Sequence, residues 1–331
     1  MRPFPCPALI VFVFFLFLTG FLHASAGNSQ MNIEIVSLKN AFGTWWTQAC
    51  NQPASKAIDL FDKMVYGVAP EAYDALVFDR SLNPNWEKQK IKSLSKFLKD
   101  LPPKFDRILA NFDKVEKTVK SNIENFHKAF PNSKMQFKIF LLPSLGRFDG
   151  KASFLPNGLP VVGFGVDFLL DAKRNLAVLT SHEIFHVFNF IGSHLTEDWL
   201  MKNGTLGHSL WMEGLATLAS GMGNPSYPDG ILLLDEGLAT ISSQTVRDLA
   251  QKFLEVSRLR MFDQKNEEQY TKWFSGGSKD AEIPCRAGYR LGLEVLRKAE
   301  KSFSIEEMAA MSFTDVQQIV DQLLSKIAKG D

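Results

Sequence analysis

The sequence predicts an α+β protein that is mostly helical, with a small sheet ahead of a helix that carries two histidines. Long amphipathic helical patterns fill the region before residue 133, a period of two follows between residues 135 and 170, and buried-looking helices come after it. The chain has 331 residues, of which 45% are hydrophobic and 22% charged, and this is the composition of a folded globular protein.

Residues 1–26 have the pattern of a secretory signal peptide. Arg2 precedes an apolar core at about 8–22, and the Ala-Ser-Ala at 24–26 is the small-x-small pattern of a cleavage site. We expect this segment to be removed, which predicts a secreted or periplasmic protein with no membrane association. The alternative is an uncleaved anchor, although the apolar core is shorter than the roughly 20 residues of a spanning helix.

The charge balance gives no sign of a polyanionic partner. Removal of Arg2 with the signal leaves 36 basic and 36 acidic residues, so the mature chain is formally neutral. A chain without a basic stripe is not expected to bind nucleic acid.

Two cysteines, Cys50 and Cys285, remain after signal removal, in a compartment where disulfides persist. The sequence leaves two alternatives open, a Cys50–Cys285 disulfide and two separate buried thiols.

The region 27–133 is predicted to be an N-terminal helical region, with a helical pattern from Asn32 onward. Apolar residues recur at three- and four-residue spacing over 86–101 and again over about 104–129. These helices are typical of a scaffold, and the second domain is predicted to cover 134–331.

The period then changes to that of strands. Residues 135–144 alternate, and 151–170 predict two short strands joined by a turn at Asn157-Gly158. Asp171 is predicted to cap a largely buried helix that runs from about 172 to 190.

The remaining chain is predicted to be helical. Ser304 and Glu307 have the spacing of a capping box. The predicted helices are 210–222, about 242–260, 286–300 and 304–329, the last in two pieces.

The stretch TSHEIFHVF at 180–188 lies in the middle of the predicted buried helix and contains the candidate metal-binding and catalytic residues. Residues four apart share a helix face, so His182 and His186 can direct ring nitrogens at one point. This His-Glu-x-x-His pattern suits Zn²⁺, and Glu183, beside the first histidine, can accept a proton from water.

A third ligand is predicted in the next apolar helix. A catalytic zinc usually has three protein ligands, and Glu213 lies in the apolar segment LWMEGLATLAS at 210–220. A buried carboxylate without a partner is costly, and a metal would compensate it.

These motifs resemble those of the zincin metallopeptidases, and among them the gluzincins. HExxH with the downstream LWMEGLATLAS is similar to their zinc-binding segments, in which the ligand glutamate often lies in W-x-x-E-G-x-A, and Gly288–Gly292 matches the G-Y-x-x-G of predicted bacterial zinc proteases. The resemblance implies a zincin-like domain, one zinc per chain, and a peptide or protein substrate. The 26 residues between His186 and Glu213 and the lack of a G-x-M-E-N segment depart from aminopeptidase N, so aminopeptidase specificity is not supported.

The resemblance also implies roles for neighbouring residues. Glu183 is the expected proton acceptor and Tyr289 the expected oxyanion donor, unless Tyr289 is a core tyrosine. His208 is a competing donor, and Arg286 or Arg290 is a weaker one.

Three further residues lie just before the metal helix. Gly163 and Gly165 predict either an edge strand that pairs with extended substrate or a bulge. Asp167 is predicted either to orient a ligand histidine or to cap the helix.

A second function is compatible with these residues. The same fold could hold zinc in a binding or structural module without hydrolysis.

Overall fold

A computed structural model describes residues 32–172, 174–275 and 282–331. These residues form a mostly helical α+β fold with one four-stranded sheet, which confirms the predicted fold class. Residues Met31–Asp331 make one compact unit, whereas the predicted signal peptide, 1–26, lies outside the described residues. Among the helices of the described ranges, none has the length and apolar character needed to cross a bilayer.

The sheet is mixed and has the strand order β1-β2-β4-β3. β1, β2 and β4 are parallel, and β3 is antiparallel to β4 and forms one edge. The strands are β1 (Asn32–Ser37), β2 (Gln136–Leu142), β3 (Gly150–Phe154) and β4 (Pro160–Gly165). As predicted, β3 and β4 are joined by a turn at Asn157-Gly158, where Gly158 has φ 82°.

The helical prediction from Asn32 onward is wrong for Asn32–Ser37, which forms β1. The segment NIEIVS alternates apolar and polar residues, and Ile33 and Ile35 pack against the core. An edge strand that pairs on one side with β2 needs only this short alternation, which is easily read as the start of a helical pattern.

Fifteen α-helices occur in the described residues, and α5 and α6 among them pack against the sheet. The two long N-terminal predictions, 86–101 and 104–129, correspond to the fourth and fifth of these helices. The helices are α1 (Lys39–Ala49), α2 (Ala54–Met64), α3 (Pro70–Ala72), α4 (Trp86–Asp100), α5 (Phe105–Ala129), α6 (Leu176–Gly192), α7 (Glu197–Asn203), α8 (Leu206–Gly223), α9 (Asp229–Leu232), α10 (Glu236–Ala239), α11 (Ser243–Leu254), α12 (Glu267–Phe274), α13 (Ala287–Ala299), α14 (Ile305–Ala310) and α15 (Phe313–Lys329).

α6 begins at Leu176, and its cap differs from the prediction. The side chain of Asn175 accepts hydrogen bonds from the backbone N–H groups of Ala177 and Val178. Asp171, the predicted cap, instead forms an exposed ion pair with Lys104, the residue directly before α5. An Asn side chain has the same oxygen acceptor as Asp, and its place directly before the first helical turn decides which of the two caps.

Of the two alternatives left open for the cysteines, the Cys50–Cys285 disulfide is not formed, and Cys50 is exposed rather than buried. Cys50 follows α1 and Cys285 precedes α13, and no bond joins them. α1 packs on α2 and α5, whereas α13 packs mainly on α8. The two cysteines therefore belong to different parts of the fold.

Candidate metal centre

His182 and His186 lie on the inner face of α6, both less than 10% exposed. Their Nε2 atoms are 3.1 Å apart, and their rings meet edge to face with centroids separated by 4.7 Å. The helical period brings two imidazoles of one chain segment to one point, as the four-residue spacing predicts.

Glu213 completes this cluster from the neighbouring helix. α8 packs along α6, and the Glu213 Oε2 lies 3.1 Å from the Nε2 of His182 and 3.5 Å from the Nε2 of His186. The structure thus brings together the three residues that the sequence singled out as metal ligands.

The donor set fits a zinc ion. Nitrogen and oxygen ligands lie about 2.0 to 2.2 Å from zinc, so two corners of such a tetrahedron are roughly 3.3 to 3.5 Å apart. The three observed separations, 3.1, 3.1 and 3.5 Å, are close to this value. Two imidazoles and one carboxylate are also the ligand types of a catalytic zinc site with a remaining open position.

Burial and mutual charge set the protonation of the cluster. Burial by itself raises the pKa of Glu213, but His186 and the hydrogen bonds from both histidines hold this pKa well below its usual range. Burial lowers the pKa of His182. Burial also acts to lower the pKa of His186, but the neighbouring charge of Glu213 raises it overall. The cluster therefore keeps its carboxylate ionised, as a cation site requires.

Glu183 is next to the cluster but is not part of it. Its side chain is 7% exposed and lies against Gly150, where an added Cβ would be 2.8 Å from the Glu183 Cγ. Burial raises the pKa of the Glu183 carboxyl to about 8, and the charges of Glu213 and Asp149 add to this rise. A carboxyl with a pKa near neutrality can both take up and release a proton.

A cleft of about 490 Å³, which we call the apolar cleft, opens on the cluster. One wall is the edge strand β3, and the opposite side is rich in large apolar side chains. The apolar lining residues are Leu82, Phe154, Phe190, Leu200, Met201, Met212, Met261 and Phe262.

Tyr289 borders the apolar cleft from α13. Its ring stacks on that of His182 with centroids 6.1 Å apart. Burial raises the pKa of the Tyr289 hydroxyl well above its ordinary value, and the negative charge of Glu213 adds to this. The hydroxyl stays protonated near neutral pH and is therefore a hydrogen-bond donor.

His208 does not face the cluster. It is 4% exposed, its Nε2 lies 2.7 Å from the backbone oxygen of Phe313, and its Nδ1 accepts from the backbone N–H of Thr205. Both ring nitrogens are used to fix the start of α8 against α15. The predicted role of His208 as oxyanion donor is wrong.

Asp167 fixes the turn after β2. Its carboxylate accepts from the backbone N–H groups of Ser144 (2.6 Å) and Gly146 (2.7 Å). Among the described residues the Nδ1 of His182 has no hydrogen-bond partner, so Asp167 does not orient that histidine. It does not cap α6 either, and both predicted roles are wrong.

Gly163 and Gly165 lie on β4, which has neighbours on both sides. Gly163 is in register with Phe140 of β2 and with Lys151 of β3. An added Cβ would meet Leu76 at Gly163 and the Phe148 oxygen at Gly165. These glycines allow close internal packing, and their predicted contact with substrate is wrong, because the accessible edge belongs to β3.

Sequence reasoning missed three residues around the cluster and gave a fourth only a minor role. Gly150, Arg174 and Tyr270 border the cavities beside Glu183, and Arg286, weighed only as a weak oxyanion donor, borders one of them. No local spacing relates these residues to the HExxH helix, because the fold brings them there from distant segments.

The family comparison covers the same residues. Residues 115–321, more than half of the chain, match the family described as predicted Zn-dependent protease (DUF2268). The matched segment runs from within α5 to within α15 and includes His182, Glu183, His186, Glu213 and Tyr289. No curated protein and no solved structure matches the chain.

Proposed function

The chain belongs to the family of predicted zinc-dependent proteases, and from this premise we propose that it is a zinc peptidase of the gluzincin type that hydrolyses peptide bonds. The observation that carries the proposal is the position of Glu183, a buried carboxyl beside a His-His-Glu donor set but outside it. A purely structural zinc site needs ligands and has no use for such a neighbour.

The residues that would hold one zinc per chain are His182, His186 and Glu213, through the two Nε2 atoms and Oε2. Zinc, when bound, lowers the pKa of a water molecule and polarises a carbonyl group. The resemblance to gluzincins implies the same roles, with these three residues as the zinc ligands and Glu183 as the base.

Glu183 would move the proton. As the water oxygen bonds to the carbonyl carbon, the Glu183 carboxylate accepts a water proton, and it then donates this proton to the leaving nitrogen as the C–N bond breaks. Burial raises the pKa of the Glu183 carboxyl, and a raised pKa makes its ionised form a stronger base for the first transfer. Burial against Gly150 keeps the carboxyl out of bulk solvent.

Tyr289 is our proposed donor to the oxygen that becomes negative during the reaction. It borders the apolar cleft, its ring lies against His182, and its raised pKa keeps the hydroxyl proton in place. A fixed donor of this kind stabilises an oxyanion without reorganisation.

The substrate would lie along β3. This strand pairs with β4 on one side only, so its outer backbone groups can accept an extended peptide as a further strand. The apolar cleft would take a large hydrophobic side chain of that peptide. The location we propose is secreted or periplasmic, on the basis of the signal pattern in residues 1–26.

The experiment that tests this function compares Glu183→Gln with the wild type. We expect about one zinc per chain in both proteins, with the rate of peptide hydrolysis lower by about 10²- to 10⁴-fold in the variant, because the base is lost and the ligands remain. Zinc is measured by mass spectrometry and hydrolysis on a mixed peptide library.

The matched control is Glu116→Gln, a partly exposed glutamate on α5 that pairs with Lys120. It should keep both zinc and activity. Equal turnover by Glu183→Gln and the wild type would remove Glu183 from the mechanism and with it the proposed reaction.

A further inference from the structure

A second, smaller cavity of about 190 Å³ lies beside the apolar cleft. The two cavities share Gly150, His182, Glu183 and Tyr289 and then diverge. The apolar cleft continues along β3 to Phe154, whereas the small cavity lies beyond the beginning of β3. We call it the polar pocket, because most of its lining side chains are polar, namely those of Asp149, Arg174, His182, Glu183, Arg286 and Tyr289.

Of the two arginines in the polar pocket, Arg174 is already neutralised. Its Nε lies 2.5 Å from the Oδ2 of Asp149. Its Nη1 also donates to the backbone oxygen of Leu234 at 3.4 Å. This pair contributes no net charge to the pocket.

Arg286 has no such partner. Its side chain is only 9% exposed, and its Nη1 is buried without a hydrogen-bond acceptor in the part of the chain that the structure describes. No carboxylate of the described residues lies within ion-pair distance of it, and its guanidinium carbon stands 4.0 Å from the centre of the Tyr289 ring. A buried guanidinium without an anion in contact is costly, so an anionic ligand that pairs with Arg286 would remove this cost.

The backbone at Arg286 adds to this cost. Arg286 precedes α13 in the left-handed region, with φ 59° and ψ 24°. Glycine or asparagine adopts this conformation more cheaply. An arginine held there, buried and without an anion, therefore carries a backbone cost in addition to its desolvation cost.

We propose that Arg286 binds the C-terminal carboxylate of a peptide substrate, so that the enzyme removes residues from the C-terminus. This inference rests on the proposed function. A cavity of 190 Å³ corresponds to about six water molecules, which is the room of one amino-acid residue. A peptide lying along β3 would therefore end in the polar pocket, with its last carboxylate at Arg286.

The first experiment uses three libraries of acetylated hexapeptides. One library ends in a free carboxylate, one in a C-terminal amide, and one in a C-terminal amide with Glu as the last residue. We expect the zinc-loaded full chain to cleave the acids about 10- to 100-fold faster than both amide libraries, which is the range of one charge-assisted hydrogen bond. A single residue should be released from the C-terminus.

Arg286→Met should remove this preference by lowering cleavage of the acids to the rate of the amides. Its melting temperature should equal or exceed that of the wild type, because the substitution removes a buried charge without a partner. The control Arg107→Met changes an exposed arginine of α5 and should keep the preference.

Three results would overturn the inference. Equal cleavage of acids and amides by the wild type would show that the enzyme does not recognise a terminal carboxylate. If Arg286→Met lowered the cleavage rates of acids and amides equally, Arg286 would instead stabilise the oxyanion or the folded structure. Cleavage of the Glu-ended amides as fast as the acids would assign it to an acidic side chain.

A binding measurement separates this inference from the proposed function. In the zinc-loaded Glu183→Gln chain, N-acetyl-leucine should bind at least about 10-fold more tightly than N-acetyl-leucinamide, and adding Arg286→Met should abolish the difference. If no library is cleaved but this difference is present, the proposed function fails and the carboxylate site stands. If the two probes bind alike, the carboxylate site fails whatever the activity.

Discussion

Glu183 is positioned by a residue that has no side chain. Gly150, at the start of β3, lies so close that a methyl group there would come within 2.8 to 3.1 Å of the Glu183 Cγ, Oε1 and Cδ. The carboxyl therefore packs directly on the strand backbone. This contact joins the proposed base to the strand that would hold the substrate.

We expect Gly150→Ala to lower kcat by about 10-fold or more while zinc content stays at one per chain. The added methyl group must displace the Glu183 carboxyl, and a small displacement of a catalytic group is costly in rate. Steady-state kinetics and metal analysis measure the two quantities. Gly43→Ala in α1, where the new Cβ makes only an ordinary contact with Leu109, is the control. Unchanged kcat in Gly150→Ala would mean that the carboxyl position is unimportant.

The sequence was sufficient for residues whose relation is local. The four-residue period placed His182 and His186 together, and the cost of an unpaired buried carboxylate pointed to Glu213. It was insufficient for Gly150 and Arg286, whose importance depends on what other segments place beside them. His208 was misassigned because its acceptor, a backbone oxygen of α15, cannot be seen in the sequence.

At the scale of elements, α8 and α13 meet backbone to backbone. An added Cβ at Gly214 would lie 2.5 Å from the Gly292 backbone, and one at Gly292 would lie 2.6 Å from the Leu210 oxygen. Gly214 follows the ligand Glu213, and Gly292 lies one turn after Tyr289. The glycines of the two sequence motifs thus let the helix of the third ligand approach the helix of the proposed oxyanion donor.

Gly292→Ala should lower the free energy of unfolding by about 1 to 3 kcal/mol, since overpacking at a tight contact forces the helices apart. Zinc affinity should fall as well, because Glu213 moves with α8. Urea denaturation and a competitive zinc titration measure the two effects. If Gly292→Ala gained stability, as alanine does at an uncrowded helix position, the close contact would be refuted.

A pair between α9 and α13 gives a pH-dependent contribution to stability. Arg297 donates two hydrogen bonds to the Asp229 carboxylate, at 2.6 and 2.8 Å, and they hold the pKa of Asp229 below its usual range. Because the pKa is lowered in the folded state, this stabilisation is present above the unfolded value of about 4 and disappears as the pH falls through the lower, folded value.

Asp229→Asn should therefore lower the free energy of unfolding at pH 7 by up to about 1 kcal/mol. This value already allows for the partial exposure of both side chains. The difference from the wild type should shrink below about pH 4. Urea denaturation between pH 3 and pH 7 tests this. A difference that stays constant over this range would show that the carboxylate charge is not involved.

Elements with strong periodicity were predictable, and those defined by their neighbours were not. α4, α5 and α13 have long amphipathic patterns, and α14 begins at the predicted Ser304 and Glu307 capping box. β1 was missed because six alternating residues become a strand only through pairing with β2. The short helix α7 has no buried residue and no comparable pattern.

At the scale of the whole molecule, the site joins parts of the chain that are far apart. Its residues come from β3, α6, α8 and α13. They span the sequence from Gly150 on β3 to Tyr289 on α13. The family match begins within α5, so β1 and α1–α4 lie outside it, yet β1 completes the sheet and the helices pack in the same core. The predicted division at residues 133 and 134 remains a prediction.

Zinc should stabilise the whole fold, because the ligands come from two helices that converge only in the native state. At a free zinc concentration 100 times the dissociation constant, the expected gain is about 2.7 kcal/mol. A chelator should lower the melting temperature of the wild type, and the zinc-dependent shift should vanish in His186→Ala. A melting temperature independent of zinc in the wild type would contradict a site of this kind.

Anomalous diffraction at the zinc edge shows whether His182, His186 and Glu213 bind one zinc ion. Crystals of the zinc-loaded full chain should give one peak about 2.0 to 2.2 Å from the Nε2 of His182, the Nε2 of His186 and an oxygen of Glu213, with Glu183 outside the ligand set. A peak bound by other residues, or one that leaves Glu213 unbound, would contradict the account.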